Sequence, residues 1–236
     1  MKKLVLIVSM TVTLGLLSPT VAKSDLTVHN NSTVTQTRND GKARMWTKNA
    51  NLALDPSFIE PFLSWCSECT VAPGGSMTWD TAEKFIDYLN ATAYLGYDDW
   101  ELPQTGPVDP AGYNRVYCCD GSCDYGYNIV SPNSEMAYMY YVELDGVACT
   151  SGENCDVWPD PCGLPDEVEG ISNLEYSYWS GTPGGPNLAW FFDFATGRQY
   201  EDSIGRAFKV WPVRDAGADP SQKRATPSIP LLLLDD

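Results

Sequence analysis

The stretch GYDDWELP, Gly96 to Pro103, poses the question on which the reading of this chain turns. It sets Asp98, Asp99 and Glu101 around Trp100 in a loop bounded by glycine and proline. Such a loop is either a metal or sugar site or a corner of the fold, and its surroundings have to decide which.

Immediately upstream lies the clearest periodic run, TWDTAEKFIDYLNAT. Trp79, Ala82, Phe85, Ile86 and Leu89 recur at spacings of three and four, which predicts an amphipathic helix. Thr78 can cap it, and Asp80 with Glu83 offers a capping box as the alternative start. Gly96 comes too late to end this helix, so Tyr94-Leu95 reads as a short extension. A shorter helix fits Pro56 to Trp65, where Phe58, Phe62 and Trp65 are spaced four and three apart.

Earlier still, Thr33–Thr37 alternates weakly, Asn39-Asp40-Gly41 signals a turn, and Ala43 to Trp46 returns. This predicts a hairpin. Past Pro103 the chain becomes loop-like, broken by Gly106-Pro107, Asp109-Pro110 and Gly112. SEMAYMYYVEL, residues 134–144, is apolar enough for a helix or a buried strand. From Glu175 the texture is of short strands: one over Glu175–Trp179, a turn over SGTPGGPN, a strand over Leu188–Phe194, and a last one over Arg206–Arg214. Pro212 places that last strand at an edge or ends it early. An early helix followed by late antiparallel strands predicts one α+β domain over 33–215.

The ends of the chain indicate its compartment. Lys2 and Lys3 precede LVLIVSMTVTLGLL and SPTVA, which reads as a leader peptide over 1–22 ending at the small residues Thr20 and Ala22. The competing reading is a retained N-terminal anchor, but the apolar run is short for a bilayer. Residues 23–32 read as a loose start and 216–236 as a disordered tail, whose apolar residues are too few to span a membrane. The expected location is outside the bacterial cytoplasm: extracellular, at the cell surface or in the periplasm.

Export suits the eight cysteines, Cys66, Cys69, Cys118, Cys119, Cys123, Cys149, Cys155 and Cys162. Four disulfides are the default in an oxidising compartment. Local order favours Cys66 with Cys69 and links within the 118–162 group. CSEC has metal-ligand spacing too, but no second pair of that kind follows it and the single histidine, His29, lies far away. A redox role would require a βαβ context that is absent.

Charge narrows the partners. The whole chain carries a net charge of -16, which becomes -18 when Lys2 and Lys3 leave with the leader. Phosphate backbones and anionic membranes are disfavoured, so nucleic acid is excluded as a partner. Neutral ligands and cations remain open.

Six blocks then occur in order: RMWTKNANL (44–52), TWDTAEKFIDYLN (78–90), GYDDWELP (96–103), YWSGTP (178–183), AWFFDFATG (189–197) and VWPVR (210–214). Together they resemble the Lcl C-terminal domain family, bacterial domains of a collagen-like adhesin. The resemblance implies a C-type lectin-like, formylglycine-generating-enzyme-like fold: about two helices, a small twisted antiparallel sheet, long loops, and terminal strands lying close together. It also implies that Gly96–Pro103 is a corner, with Gly96 bending the chain, Trp100 and Leu102 facing the core, Asp99 bracing the loop and Pro103 fixing the exit. Trp46, Trp79, Trp179, Trp190, Trp211 and Arg214 fall inside the same blocks and are expected to be architectural. Two departures from the resembled pattern stand out: Glu101 replaces an arginine, and Ala43-Arg44 replaces a glycine-leucine pair.

The remaining chemistry lies in loops. Calcium takes six to eight oxygens. Asp98-Asp99, Asp120 with Asp124, and Asp156 with Asp160 are the candidate carboxylates, Asp120/Asp124 first because Cys119 and Cys123 could stiffen that loop. Sugars stack on exposed aromatic rings, and the chain has 8 tryptophans and 13 tyrosines to supply them. Trp158, Tyr125 and Tyr127 are the candidate platforms, with Tyr113 and Tyr117 near the same cysteine loop. Catalysis is disfavoured. A serine hydrolase would need a histidine base, and no particular carboxylate pair suggests a glycosidase. The expectation is a recognition or adhesion module for a protein or neutral glycan, with homo-oligomers open. The alternatives are a structural envelope or matrix domain and a degenerate hydrolase.

Overall fold

A computed structural model describes residues 26–150, 155, 158–159, 161–165, 168 and 170–217. The expected leader, most of the expected tail, and Asp156 and Asp160 lie outside the described residues. No described helix is long and apolar enough to cross a membrane.

The predicted hairpin forms. Strands β2 (Thr33–Thr37) and β3 (Ala43–Thr47) pair antiparallel, with Val34 opposite Trp46. Their turn uses Gly41 at φ 79°, a left-handed value open to glycine. The last described strand, β9 (Val213–Asp215), pairs with the far side of β3, so the two ends of the domain meet as the resemblance implied. The expected loose start needs correction: Leu26–Val28 is an edge strand, β1, paired with β2.

A second sheet follows, which the expectation of one small sheet did not include. It runs β4 (Tyr117–Cys118), β5 (Tyr125–Gly126), β8 (Arg198–Ser203), β7 (Leu188–Asp193), β6 (Ser177–Pro183), with only the β4–β5 pair parallel. Strand β6 continues through the first half of the expected turn, reaching Pro183 across an irregular register. Strand β8 was not expected. Its inward residues, Gln199 and Glu201, are polar yet 1% and 6% exposed, so no apolar alternation announced it. Conversely, Arg206–Arg214 is mostly not a strand. It makes single bridges through Phe208 and Lys209, and Pro212 delays regular pairing until Val213.

Helix α1 (Pro56–Trp65) starts on Asp55, which accepts from the Ser57 N–H, with Pro56 in its first turn. Helix α2 (Trp79–Ala91) is capped by Thr78, and the alternative capping box is not used. Residues 134–144 resolve as helix: α3 (Glu135–Tyr138) continues as a π turn over Met139–Glu143. Met136, Ala137, Tyr138, Met139 and Tyr140 are all buried, so this helix is enclosed on every side, with Glu135 and Glu143 buried at its two ends.

Alternation along β7 divides the interior. Ala189 and Phe191 join α1, α2, Trp100 and Trp179 in one core. Phe192 joins Val34, Trp46, the 136–144 helix and Trp211 in another. The molecule is thus an α+β fold of mostly antiparallel twisted sheet, a few helices and long loops held by disulfides.

Candidate recognition site

The Gly96–Pro103 loop is a corner. Trp100 and Leu102 are buried, and Pro103 with them. Asn90 on α2 clamps the turn from both sides: its Oδ1 accepts the Trp100 N–H at 2.7 Å and its Nδ2 donates to the Trp100 carbonyl at 2.9 Å. Asp99 braces the corner against β9 through Arg214, whose Nε donates at 2.6 Å. Glu101 bridges to Val213 through its backbone and pairs through its side chain with Arg44.

Arg44 belongs to a wider buried network. Its Nε lies 2.8 Å from Glu135, and Arg38 reaches the same carboxylate at 3.3 Å. Glu135 also accepts the Gln104 N–H at 2.9 Å. Burial pushes the Glu135 carboxyl up, against the pull of Arg44 and Arg38. These acids are committed to holding elements together.

The cysteine-rich loop is built around a carboxylate too. All eight cysteines pair: Cys66–Cys69, Cys118–Cys123, Cys119–Cys155 and Cys149–Cys162. Asp124, fully buried, accepts backbone N–H groups from Val108 and Asn114, while its own carbonyl accepts from Gln199. Asp120 is exposed and accepts from the Ser122 N–H and hydroxyl. The two candidate calcium ligands therefore differ: one anchors the loop internally and the other closes a surface turn. Among the described residues, the single group of three or more ligand-type side chains close enough to share an ion is Cys66, Glu68 and Cys69. Its two sulfurs are bonded to each other and are not thiolates.

This loop delivers aromatic rings to the edge of the second sheet. Gly126 lets the backbone approach, since a Cβ there would sit 1.8 Å from the Cys118 carbonyl oxygen. Tyr125 lies between Tyr200, with centroids 4.3 Å apart, and Trp190, at 5.1 Å. Tyr113 stacks on Trp190 at 5.3 Å, and Tyr117 meets the edges of Tyr127 and Tyr200. Two guanidiniums lie on these rings. Arg115 covers Tyr113 and Trp190, and Arg198 covers Tyr200 and Tyr117. Beneath them Glu201 accepts from Arg115 at 3.0 Å and from the Tyr125 hydroxyl at 2.6 Å. Burial, then the Glu201 carboxylate, raises the Tyr125 phenol above its ordinary value. Burial, aided by Tyr117, pushes Tyr127 up to about 12.

Of the predicted platforms, the structure gathers Tyr113, Tyr117 and Tyr125 into one patch. Tyr127 is a correction: at 8% exposed it props Tyr117 from behind and cannot stack on a ligand. Trp158 is 74% exposed and has no ring partner among the described residues. Trp46, Trp100, Trp179, Trp190 and Trp211 are buried, as the motif positions implied, and Trp79 is half-buried with its indole N–H on the Ser180 carbonyl. Sequence reasoning missed Tyr200, Arg198, Arg115 and Glu201. The signal was the alternation Arg198, Tyr200 against Gln199, Glu201, which is hard to see when both sets are polar or amphipathic.

Tyr113 also lines a cleft of about 460 Å3 walled by Arg38, Lys42, Gln104, Asn133, Glu135 and Thr182. Patch and cleft thus share one side chain. No protein-family model matches the chain, and neither does any curated protein or any solved structure.

Proposed function

We propose that this chain is an exported, non-enzymatic recognition module whose binding surface is the tyrosine patch on the edge of the second sheet. The observation that carries the reading is the grouping of Tyr113, Tyr117, Tyr125 and Tyr200, none of them buried, on one pinned loop and one strand. Rings held this way lose little entropy on contact and offer flat apolar faces beside hydroxyls. That chemistry suits a glycan first and a protein surface second. The resemblance to the Lcl C-terminal domain is in keeping with adhesion but does not choose the ligand. A hydrolytic reading gains no support from the carboxylates near the patch, since Glu201 and Asp124 are occupied by internal donors. The test is a glycan array probed with the full chain, exported to an oxidising compartment, in calcium and in chelator. Specific binding that persists in chelator supports the reading. A silent array in both buffers favours a structural envelope or matrix role.

A further inference from the structure

Arg198 carries a charge that the described structure does not balance. Every other arginine of the described residues pairs with a carboxylate: Arg38 with Asp40 and Glu135, Arg44 with Glu101 and Glu135, Arg115 with Glu201, Arg206 with Asp202, Arg214 with Asp99. Arg198 has no carboxylate partner among the described residues, and its buried Nε has no hydrogen-bond partner. Its contacts are the Tyr200 ring, 4.6 Å away, and the Tyr117 ring, 5.8 Å away. Asp193 stands opposite it on β7, but that carboxylate is engaged by the Ala195 N–H at 3.0 Å and the Thr196 hydroxyl at 2.8 Å. In a chain with 31 acidic side chains, leaving one guanidinium unpaired between two half-exposed rings is a feature in need of a partner.

We infer that Arg198 is the anion-reading element of the tyrosine patch and that the ligand is a glycan carrying sparse carboxylates, of the uronic acid class. This rests on the recognition reading above and names its ligand class. The guanidinium fork matches a carboxylate in two hydrogen bonds, and the flanking rings take the pyranose faces. Charge density separates this class from densely sulfated polymers. A single cation governs contacts within the Debye length of about 8 Å, while the net negative charge of the whole chain repels a polymer charged on every residue.

Calorimetric titration tests this, with the full chain in chelator and three probes: a galactose oligosaccharide bearing a single terminal galacturonic acid, its methyl ester, and the matching neutral galactose oligosaccharide. Esterification removes the charge and keeps the ring. The acid is expected to bind at least about tenfold more tightly than the other two. Arg198→Gln should erase that preference, and Arg198→Lys should retain part of it. Tyr117→Ala should weaken all three probes, and matching denaturation curves confirm that the variants fold. Equal binding of acid and ester, or discrimination that survives Arg198→Gln, overturns the inference and leaves the recognition reading standing. Failure of all three probes also overturns it, and the recognition reading falls with it only if the glycan array is silent as well.

Discussion

Arg214 and Asp99, 115 residues apart, join the last strand to the corner after α2 through a buried ion pair with Nε–Oδ1 at 2.6 Å. Their side chains are 1% and 5% exposed, and the Tyr97 ring lies 4.0 Å from the guanidinium. The pair locks β9, and through it the β3 hairpin, to the helical half of the molecule. Asp99→Ala leaves Arg214 charged and buried, so it is expected to cost about 3–5 kcal/mol in urea unfolding. A loss below about 1 kcal/mol would show that the corner does not depend on this pair.

The network next to it separates buried from exposed pairing. Glu101 has a side chain 45% exposed, whereas that of Glu135 is 8% exposed and meets two arginines. Glu101→Gln should cost less than about 1 kcal/mol because solvent screens the pair. Glu135→Gln should cost more, about 3 kcal/mol, because two buried guanidiniums lose their shared buried counter-charge and keep only the more exposed Asp40 and Glu101. Equal losses in the two variants would contradict this assignment.

The disulfides differ in the loops they close. Cys119–Cys155 spans 36 residues and Cys66–Cys69 spans 3. Loop-closure entropy gives about 4 kcal/mol for the first and about 2 kcal/mol for the second. Replacing Cys119 and Cys155 by serine should also loosen the rings and weaken ligand binding. Replacing Cys66 and Cys69 should lower stability and leave binding intact, which urea unfolding and titration together would show.

Alkaline titration probes the tyrosine environments. Burial raises Tyr113, Tyr125, Tyr127, Tyr140, Tyr141 and Tyr178 above their ordinary value of 10. Below pH 10 both folded and unfolded chains hold these protons, and the stabilisation is fully present. As pH rises past 10 the unfolded chain ionises first, so stability falls progressively through about 12, where Tyr127 follows in the folded state. Absorbance at alkaline pH should show a set of phenols titrating late and together with unfolding. A single transition near the ordinary phenol value, without loss of structure, would contradict these burials.

How far the sequence could be read depends on which contacts are local. The hairpin, α1 and α2 were legible because turn residues, caps and periodicity act within a few positions. The corner was legible as a corner, but its partners were not. Glu101 and Arg44 looked like two separate departures from the resembled pattern, and the structure shows them as one ion pair across 57 residues. Strand β8 escaped because its buried face is polar, satisfied by Arg115, Tyr125 and the Asp124 carbonyl. The patch was half legible: Tyr113, Tyr117 and Tyr125 stood out beside their cysteines, while Tyr200 and Arg198 reach it only through sheet pairing.

The most direct measurement compares the full chain with its Tyr117→Ala and Tyr200→Ala variants on one glycan array, in chelator, after matching their unfolding curves. The account predicts a restricted set of glycans bound by the full chain and at least about a tenfold loss in each variant. Stacking contributes about 0.5–1.5 kcal/mol per ring beyond the apolar area it buries, and the two losses together set that scale. Binding that survives both substitutions would place the recognition surface elsewhere, and a full chain that binds nothing would contradict glycan recognition, the central claim.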